Sequence, residues 1–207
     1  MTIDISEAKV VRNGPGLWLG WTLATALGML LGHLPLVPFI GDLDLGLARV
    51  IAPLFAGVLV GFAQWLVLRG YLTNSSDWVL AGGASWAAAF VVGLFIIQNL
   101  AGSTLAGLAA YLLFGVIVAA IQWPVLRREI PNILSWILAN MVGWALGFGA
   151  SQVLISALFS ADFYNQALVT AVSSGVSGLV AGACTGLALV WIVQKPELGV
   201  AITKSST

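Results

Sequence analysis

The sequence predicts an all-α integral membrane protein with six transmembrane helices. Hydrophobic residues make up 60% of the 207 residues and charged residues only 8%, whereas a soluble domain carries about 25% charged residues. The few charges divide the chain into apolar runs long enough to cross a bilayer. The runs lack period-two alternation, and backbone polar groups in lipid must be satisfied within their own segment, so we expect helices and not a barrel.

The charge-free runs place the individual spans. A helix needs about 20 residues to cross the hydrocarbon. The run 78–126 is long enough for two helices, and residues 98–103 supply the turn between them. The first apolar segment lacks a small-residue cleavage site, so we expect it to be retained. The predicted spans are roughly 16–32, 50–69, 78–98, 104–126, 134–158 and 168–194, in a membrane domain of residues 14–196 between cytoplasmic tails 1–13 and 197–207.

The distribution of Lys and Arg predicts the orientation, because cytoplasmic loops carry an excess of these residues. Given the predicted spans, only Arg49 lies on the outer side. Seven cations lie on the other side, namely Lys9, Arg12, Arg69, Arg127, Arg128, Lys195 and Lys204. We therefore expect both termini in the cytoplasm and the chain in a bacterial inner (plasma) membrane or a thylakoid membrane.

The spans form an internal repeat of three hairpins, 14–72, 73–130 and 131–196. The odd helices align through Trp21, Trp78 and Trp136 at offsets of 57 and 58 residues, and the even helices through Trp65, Trp123 and Trp191 at offsets of 58 and 68. Each hairpin starts and ends inside, so the copies are parallel and their pseudo-axis lies along the membrane normal. This predicts a pseudo-threefold bundle, in which small residues spaced four apart allow close helix packing.

Tryptophans and cations mark the cytoplasmic ends of the predicted helices. The indole ring suits the membrane interface because it joins an apolar body to one N–H group. Lys and Arg can extend to the same level. The predicted interfacial anchors are Trp21, Trp65, Trp78, Trp123, Trp136, Trp191, Arg69, Arg127 and Lys195.

Four polar residues fall at a matching depth just inside these anchors, namely Gln64, Gln122, Asn140 and Thr25. One interpretation is that they join helices through hydrogen bonds, each worth about 0.6–2 kcal/mol. The alternative is a polar constriction or small-ligand site on the pseudo-threefold axis. The third copy departs from the pattern, because the alignment places Val190 where the others have Gln.

Two further tryptophans, Trp86 and Trp144, lie about 12 Å deeper than the anchors of their helices. With Phe90, Phe95 and Phe148 they are placed to line a pocket for a lipophilic ring, such as a quinone, carotenoid or chlorin. The alternative is that these aromatic side chains simply pack in the core or face lipid. No cofactor is evident from the sequence, and bound lipid, carotenoid or chlorin are the candidates.

The single histidine, His33, is the one candidate for metal or tetrapyrrole ligation. It precedes the longest outer loop, which holds Asp42 and Asp44, and Asp162 lies on the same predicted side. The sequence shows no second recognisable ligand, so no metal site is predicted. The Pro-rich apolar loop is expected to lie in the outer interface or to cover the bundle.

The chain carries none of the common catalytic signatures, and we expect it not to be an enzyme. Its eight basic and eight acidic residues balance, which argues against nucleic-acid binding. The leading hypothesis is an accessory, assembly or scaffold subunit that packs against a larger membrane complex, with lipids and other membrane subunits or itself as partners. The alternatives are a channel or carrier for a small neutral solute and a binder of a lipophilic cofactor.

The repeat also resembles a known group of proteins. Endings of the type Gln-Trp-x-Val-Leu-Arg (64–69 and 122–127), paired with Trp-x-Leu-Ala beginnings and Gly-Trp-Ala-Leu-Gly (143–147), are similar to those of multipass membrane proteins frequent in cyanobacteria and related bacteria. The likeness covers residues 16–195 and implies a fold and a source. It implies no activity, cofactor or mechanism.

Overall fold

The computed structural model describes residues 14–33, 45–71, 76–99, 104–127, 133–160 and 165–194. Within these ranges the chain forms six α-helices and no strand, which confirms the all-helical fold. Five predicted spans agree with a helix to within two residues at each end, and the second helix begins five residues before its predicted span. The helices are α1 (Gly14–His33), α2 (Leu45–Leu68), α3 (Asp77–Asn99), α4 (Thr104–Leu126), α5 (Ile133–Ser160) and α6 (Gln166–Gln194). The predicted tails lie outside the described residues.

Five of these helices are long and apolar enough to cross a membrane, by length and composition. In α2 the apolar stretch is Pro53–Leu68, which is shorter than the other five. Large apolar side chains are exposed on every described helix. A soluble monomer rarely exposes contiguous apolar surface on this scale. The arrangement is consistent with a membrane protein.

Local signals explain several helix ends. Pro15 lies in the first turn of α1, where its missing N–H group does no harm. Asp77 begins α3, where a carboxylate meets the positive end of the helix dipole. Asn165 caps α6, because its Oδ1 accepts a hydrogen bond from the backbone N–H of Leu168 at 3.1 Å.

The six described helices form a closed ring. Each helix packs against the next one along the chain, and α1 packs against α6. Five of the six contacts between neighbouring helices contain a glycine whose added Cβ would lie 2.5–3.0 Å from the backbone of the facing helix. These pairs are Gly28 with Val60, Gly57 with Gly82, Gly115 with Asn140, Gly147 with Ser177, and Gly182 with Thr22. The backbones therefore approach closely at these seams, as membrane helices do when small residues meet.

The seam between α3 and α4 differs from the other five. The glycines of these helices either face α2 or α5, or have no neighbour. A Cβ added at Gly93 in α3 or at Gly107 in α4 would meet no atom within 4 Å. Among the described residues this seam is therefore the one that no close glycine contact holds together.

Two clusters of buried side chains fill the interior. The first, which we name the indole cluster, consists of Leu17, Trp21, Leu68, Trp78, Ala119, Leu126, Trp136 and Leu189. The second, the aromatic cluster, consists of Met29, Ala56, Val60, Trp86, Ala89, Phe114, Val118, Trp144 and Ala181. Both clusters draw residues from all six helices, so the core lies inside the ring.

Replacing Gly57 by Ala tests the close contact between α2 and α3. The new Cβ would lie 2.5 Å from the Trp86 Cβ and 2.8 Å from the Gly82 carbonyl oxygen. We expect a loss of about 1–3 kcal/mol in the free energy of unfolding, the usual cost of overpacking. Reversible unfolding in detergent micelles measures it. Gly149→Ala is the matched control, because a Cβ there meets nothing within 4 Å, and an equal loss in both variants would contradict the interpretation.

Candidate functional site

The four polar residues predicted to share a depth are all buried. Thr25, Gln64, Gln122 and Asn140 are at most 4% exposed. A buried amide or hydroxyl in an apolar interior needs a hydrogen-bond partner, because an unsatisfied group costs about 1–3 kcal/mol. The partners of these side chains therefore decide whether the layer is a ligand site or a structural joint.

A chain of hydrogen bonds joins the first three helices. Trp78 Nε1 in α3 donates to Gln64 Oε1 in α2 at 3.0 Å. Gln64 Nε2 in turn donates to Thr25 Oγ1 in α1 at 2.9 Å. The Thr25 hydroxyl donates to the Trp21 carbonyl oxygen at 2.8 Å. Gln64 and Thr25, two of the four residues of the predicted polar layer, thus bond to each other. Gln64 also bonds to Trp78, which was not among the four.

A second chain joins α1 to α6. Trp21 Nε1 donates to Thr185 Oγ1 at 2.9 Å, and the Thr185 hydroxyl donates to the Ala181 carbonyl oxygen at 2.8 Å. Nearby, Trp18 Nε1 donates to the Ala183 carbonyl oxygen at 3.0 Å. Thr185 therefore does for Trp21 what Gln64 does for Trp78: each supplies the buried oxygen that accepts an indole N–H.

The sequence alignment of the third hairpin missed Thr185, because it matched Trp191 to Trp65 and Trp123. Trp191 is 52% exposed. The residues that meet in the indole cluster are instead Leu68, Leu126 and Leu189, at spacings of 58 and 63 residues. The latter spacing also relates Gln122 to Thr185.

The polar residues of α4 and α5 do not join this chain. Asn140 Nδ2 donates to the Trp136 carbonyl oxygen at 2.9 Å, and Asn140 Oδ1 accepts from Trp144 Nε1 at 3.3 Å, so these bonds stay within α5. Trp136 Nε1 is buried and has no hydrogen-bond partner among the described residues. Gln122 is buried but does not accept from Trp136 as Gln64 accepts from Trp78.

Three of the predicted interfacial anchors are buried inside the bundle. Trp21, Trp78 and Trp136 are each no more than 1% exposed. Their centroids lie 5.7, 6.0 and 6.2 Å apart, and each pair meets edge to face. This geometry is favourable for aromatic rings, at about 0.5–1.5 kcal/mol per pair beyond area burial. We name these three side chains the indole triad.

The other predicted anchors lie nearer the outside. Trp65 and Trp123 are partly buried, and Trp191 is exposed. The Arg69 guanidinium carbon lies 5.6 Å from the Trp65 ring centroid, which is a cation–π contact. Arg127 is exposed at the end of α4, and Lys195 lies outside the described residues.

The deeper aromatic residues predicted to line a pocket are brought together only in part. The Trp86 and Trp144 centroids lie 5.2 Å apart, and both rings contact Phe114, which was not predicted. Both indoles are buried packing residues and do not line the neighbouring cavity. Phe95 is 67% exposed and lies outside it. The cavity has a volume of about 110 Å³ and is lined by Ala89, Phe90, Gly93, Leu94, Ala110, Tyr111, Phe114 and Phe148.

The histidine shows no metal-binding environment in the described part of the chain. His33 Nδ1 lies 2.8 Å from the Met29 carbonyl oxygen, a hydrogen bond within α1. The aspartates considered with it, Asp42, Asp44 and Asp162, lie outside the described residues. Within the described residues no three His, Cys, Asp or Glu side chains form a group that could hold a metal ion.

The arrangement favours structural hydrogen bonds over a ligand-binding polar layer, because Gln64, Thr25 and Asn140 use their polar atoms on neighbouring protein groups. The chain matches no protein-family model, no curated protein and no solved structure.

Replacing Gln64 by Leu tests the hydrogen-bond chain. The change removes the acceptor for Trp78 Nε1 and the donor to Thr25. We expect a loss of about 1–3 kcal/mol in unfolding free energy, because a buried N–H group loses its partner. Thermal or chemical unfolding in detergent micelles measures the change.

The matched control is Gln122→Leu, at a residue that is equally buried but does not accept from Trp136. We expect a clearly smaller loss from this variant. If the two substitutions lower the unfolding free energy equally, the hydrogen-bond chain through Trp78 adds nothing specific to stability.

Proposed function

We propose that the protein is a non-catalytic multipass membrane protein that acts as an accessory, assembly or scaffold subunit of a larger membrane complex. The observation that carries this proposal is a regular apolar ridge on α1. Four leucines at intervals of four residues, Leu19, Leu23, Leu27 and Leu31, are 46–54% exposed. Ridges of this spacing pack into the grooves of a facing helix.

A similar ridge runs along α5. It consists of Leu134, Leu138, Val142 and Leu146, which are 49–59% exposed. Lipid also covers such surfaces, but the two ridges share the spacing of rows that pack into the grooves of a facing helix. Conversely, the inner side chains of the described helices are already packed, so association would use the outside of the ring.

The channel or carrier alternative has less support. Three of the four side chains proposed to line it, Gln64, Thr25 and Asn140, are hydrogen-bonded to neighbouring groups. The indole triad and Phe114 occupy the interior. Solute flux into liposomes that contain only this protein would overturn this ranking. The second candidate function is therefore a binder of a lipophilic molecule, which the apolar cavity beside Phe114 favours.

We also infer the finer architecture that the ring suggests. Two sets of three side chains support a pseudo-threefold arrangement of three hairpins. The indole triad comes from α1, α3 and α5, and the buried leucines Leu68, Leu126 and Leu189 come from α2, α4 and α6. The predicted cytoplasmic position of both termini is supported by the Lys and Arg distribution. The resemblance to the cyanobacterial group stays a prediction.

Removing part of the α1 ridge tests the accessory role. We expect Leu23→Ala combined with Leu27→Ala to release the protein from its complex, because both side chains are exposed and the truncation removes contact area. Native mass spectrometry of particles extracted in nanodiscs from the producing cell is the measurement. The wild type should have the mass of one chain plus other subunits at fixed ratio, and the variant the mass of one chain.

A double variant of exposed leucines outside the two ridges, Leu80→Ala with Leu187→Ala, provides the control and should keep the complex. A wild-type particle with the mass of one chain would refute the accessory role. Whole multiples of the chain mass would also refute it and would favour self-association.

A further inference from the structure

We propose that the cavity between α3 and α4 holds the end of one acyl chain of a membrane lipid, which enters sideways from the bilayer. The inference rests on the second candidate function, a binder of a lipophilic molecule, and names the chemistry of that ligand. It does not depend on the accessory role.

The position of the cavity shows where a ligand would enter. Seven of its eight lining residues belong to α3 and α4, and Phe148 of α5 closes one side. This seam lacks the close glycine contacts of the other five, and the position beside Gly93 is open. Exposed apolar side chains flank it on both helices, namely Val91 and Phe95 on α3 and Leu108 on α4. The seam therefore faces the hydrocarbon, where acyl chains are the abundant molecules.

Four aromatic rings that pack against one another form half of the lining of the cavity. The Phe114 ring meets Phe90 at 5.5 Å and Phe148 at 5.2 Å between centroids, each nearly perpendicular. Tyr111 stacks on Phe148 at 4.8 Å. The other four lining residues are Leu94 and the small Ala89, Gly93 and Ala110, which leave the space beside the rings open.

Size and polarity select the ligand class. The volume of about 110 Å³ is smaller than the cavity of about 150 Å³ that accepts a benzene molecule. A volume of this size takes the last methylene groups of an unbranched chain, while the rest of the chain stays in the bilayer through the open side of the pocket. Tyr111 is the one polar side chain among the lining residues, so nothing in the wall selects a headgroup or a charged ligand.

Photocrosslinking tests this inference with the full chain. The protein is placed in phosphatidylethanolamine and phosphatidylglycerol vesicles with a trace of phosphatidylcholine that carries a diazirine at the end of one acyl chain. After illumination, mass spectrometry locates the adducts. We expect adducts on Phe90, Leu94, Tyr111 and Phe148 to exceed those on the exposed Leu138 about tenfold, equivalent to a preference of about 1.4 kcal/mol.

Gly93→Leu fills the cavity without a clash at its Cβ and should reduce the adducts on the lining residues to the level at Leu138. Gly107→Leu is the matched control, since its Cβ is equally unopposed but Gly107 does not line the cavity. The control should keep the adducts. Circular dichroism and thermal unfolding check that both variants fold. If Gly93→Leu does not fold, the wild-type enrichment alone decides.

Three results would overturn the inference. The first is a wild-type adduct pattern no richer at the cavity than at Leu138, and the second is a Gly93→Leu pattern equal to that of the wild type. The third is preferential labelling of the cavity by a prenyl-chain diazirine probe, which would assign it to an isoprenoid. If adducts are absent from the cavity but the gently purified protein shows a pigment absorbance, the acyl chain is refuted. The second candidate function, a binder of a lipophilic molecule, is then retained. None of these results bears on the accessory role, which native mass spectrometry tests separately.

Discussion

The need to satisfy indole N–H groups inside an apolar bundle governs much of this structure. Gln64 and Thr185 each provide the buried oxygen that accepts such a group, from Trp78 and Trp21 respectively. Because side-chain hydrogen bonds hold their donors and acceptors at short range, they fix the rotation of α1, α2, α3 and α6 about their own axes. In α1 and α3 that rotation turns Trp21 and Trp78 inward, where they meet edge to face. Trp136 of α5 packs against both rings, although its own N–H group has no partner among the described residues. The glycine contacts then let the backbones approach as closely as the short side-chain bonds require.

The sequence predicted the helices well, because charged residues are so rare that their positions mark where spans end. It predicted less about which face of each helix points inward. An indole ring is favourable both at a headgroup interface and inside a protein, so the sequence did not show that Trp21, Trp78 and Trp136 are buried inside the bundle. Thr185 carried no local signal, because its role depends on a donor 164 residues away in the chain. Gln64 was expected either to join helices or to line a ligand site, and its bonds to Thr25 and Trp78 favour the joint between helices.

The interior and the exterior of the ring offer different means of interaction. Most of the interior is committed to packing and internal hydrogen bonds, which leaves little room for a solute path among the described residues. The exterior carries exposed apolar ridges on α1 and α5, which suit contact with other helices. Between these two surfaces lies the seam of α3 and α4, which lacks a close glycine contact and where aromatic side chains border an apolar space. Association with partners and accommodation of lipid can therefore occur at separate places on one small protein.

The contact between α1 and α6 has a consequence for how the chain is made. Because α1 is synthesised first and α6 last, the indole N–H groups of Trp21 and Trp18 reach their acceptors only after α6 has been made. Contacts that span this much sequence form late and slow the completion of folding. A chain truncated before α6 lacks both acceptors, so its first helix keeps two indole N–H groups without the partners that they have in the complete bundle.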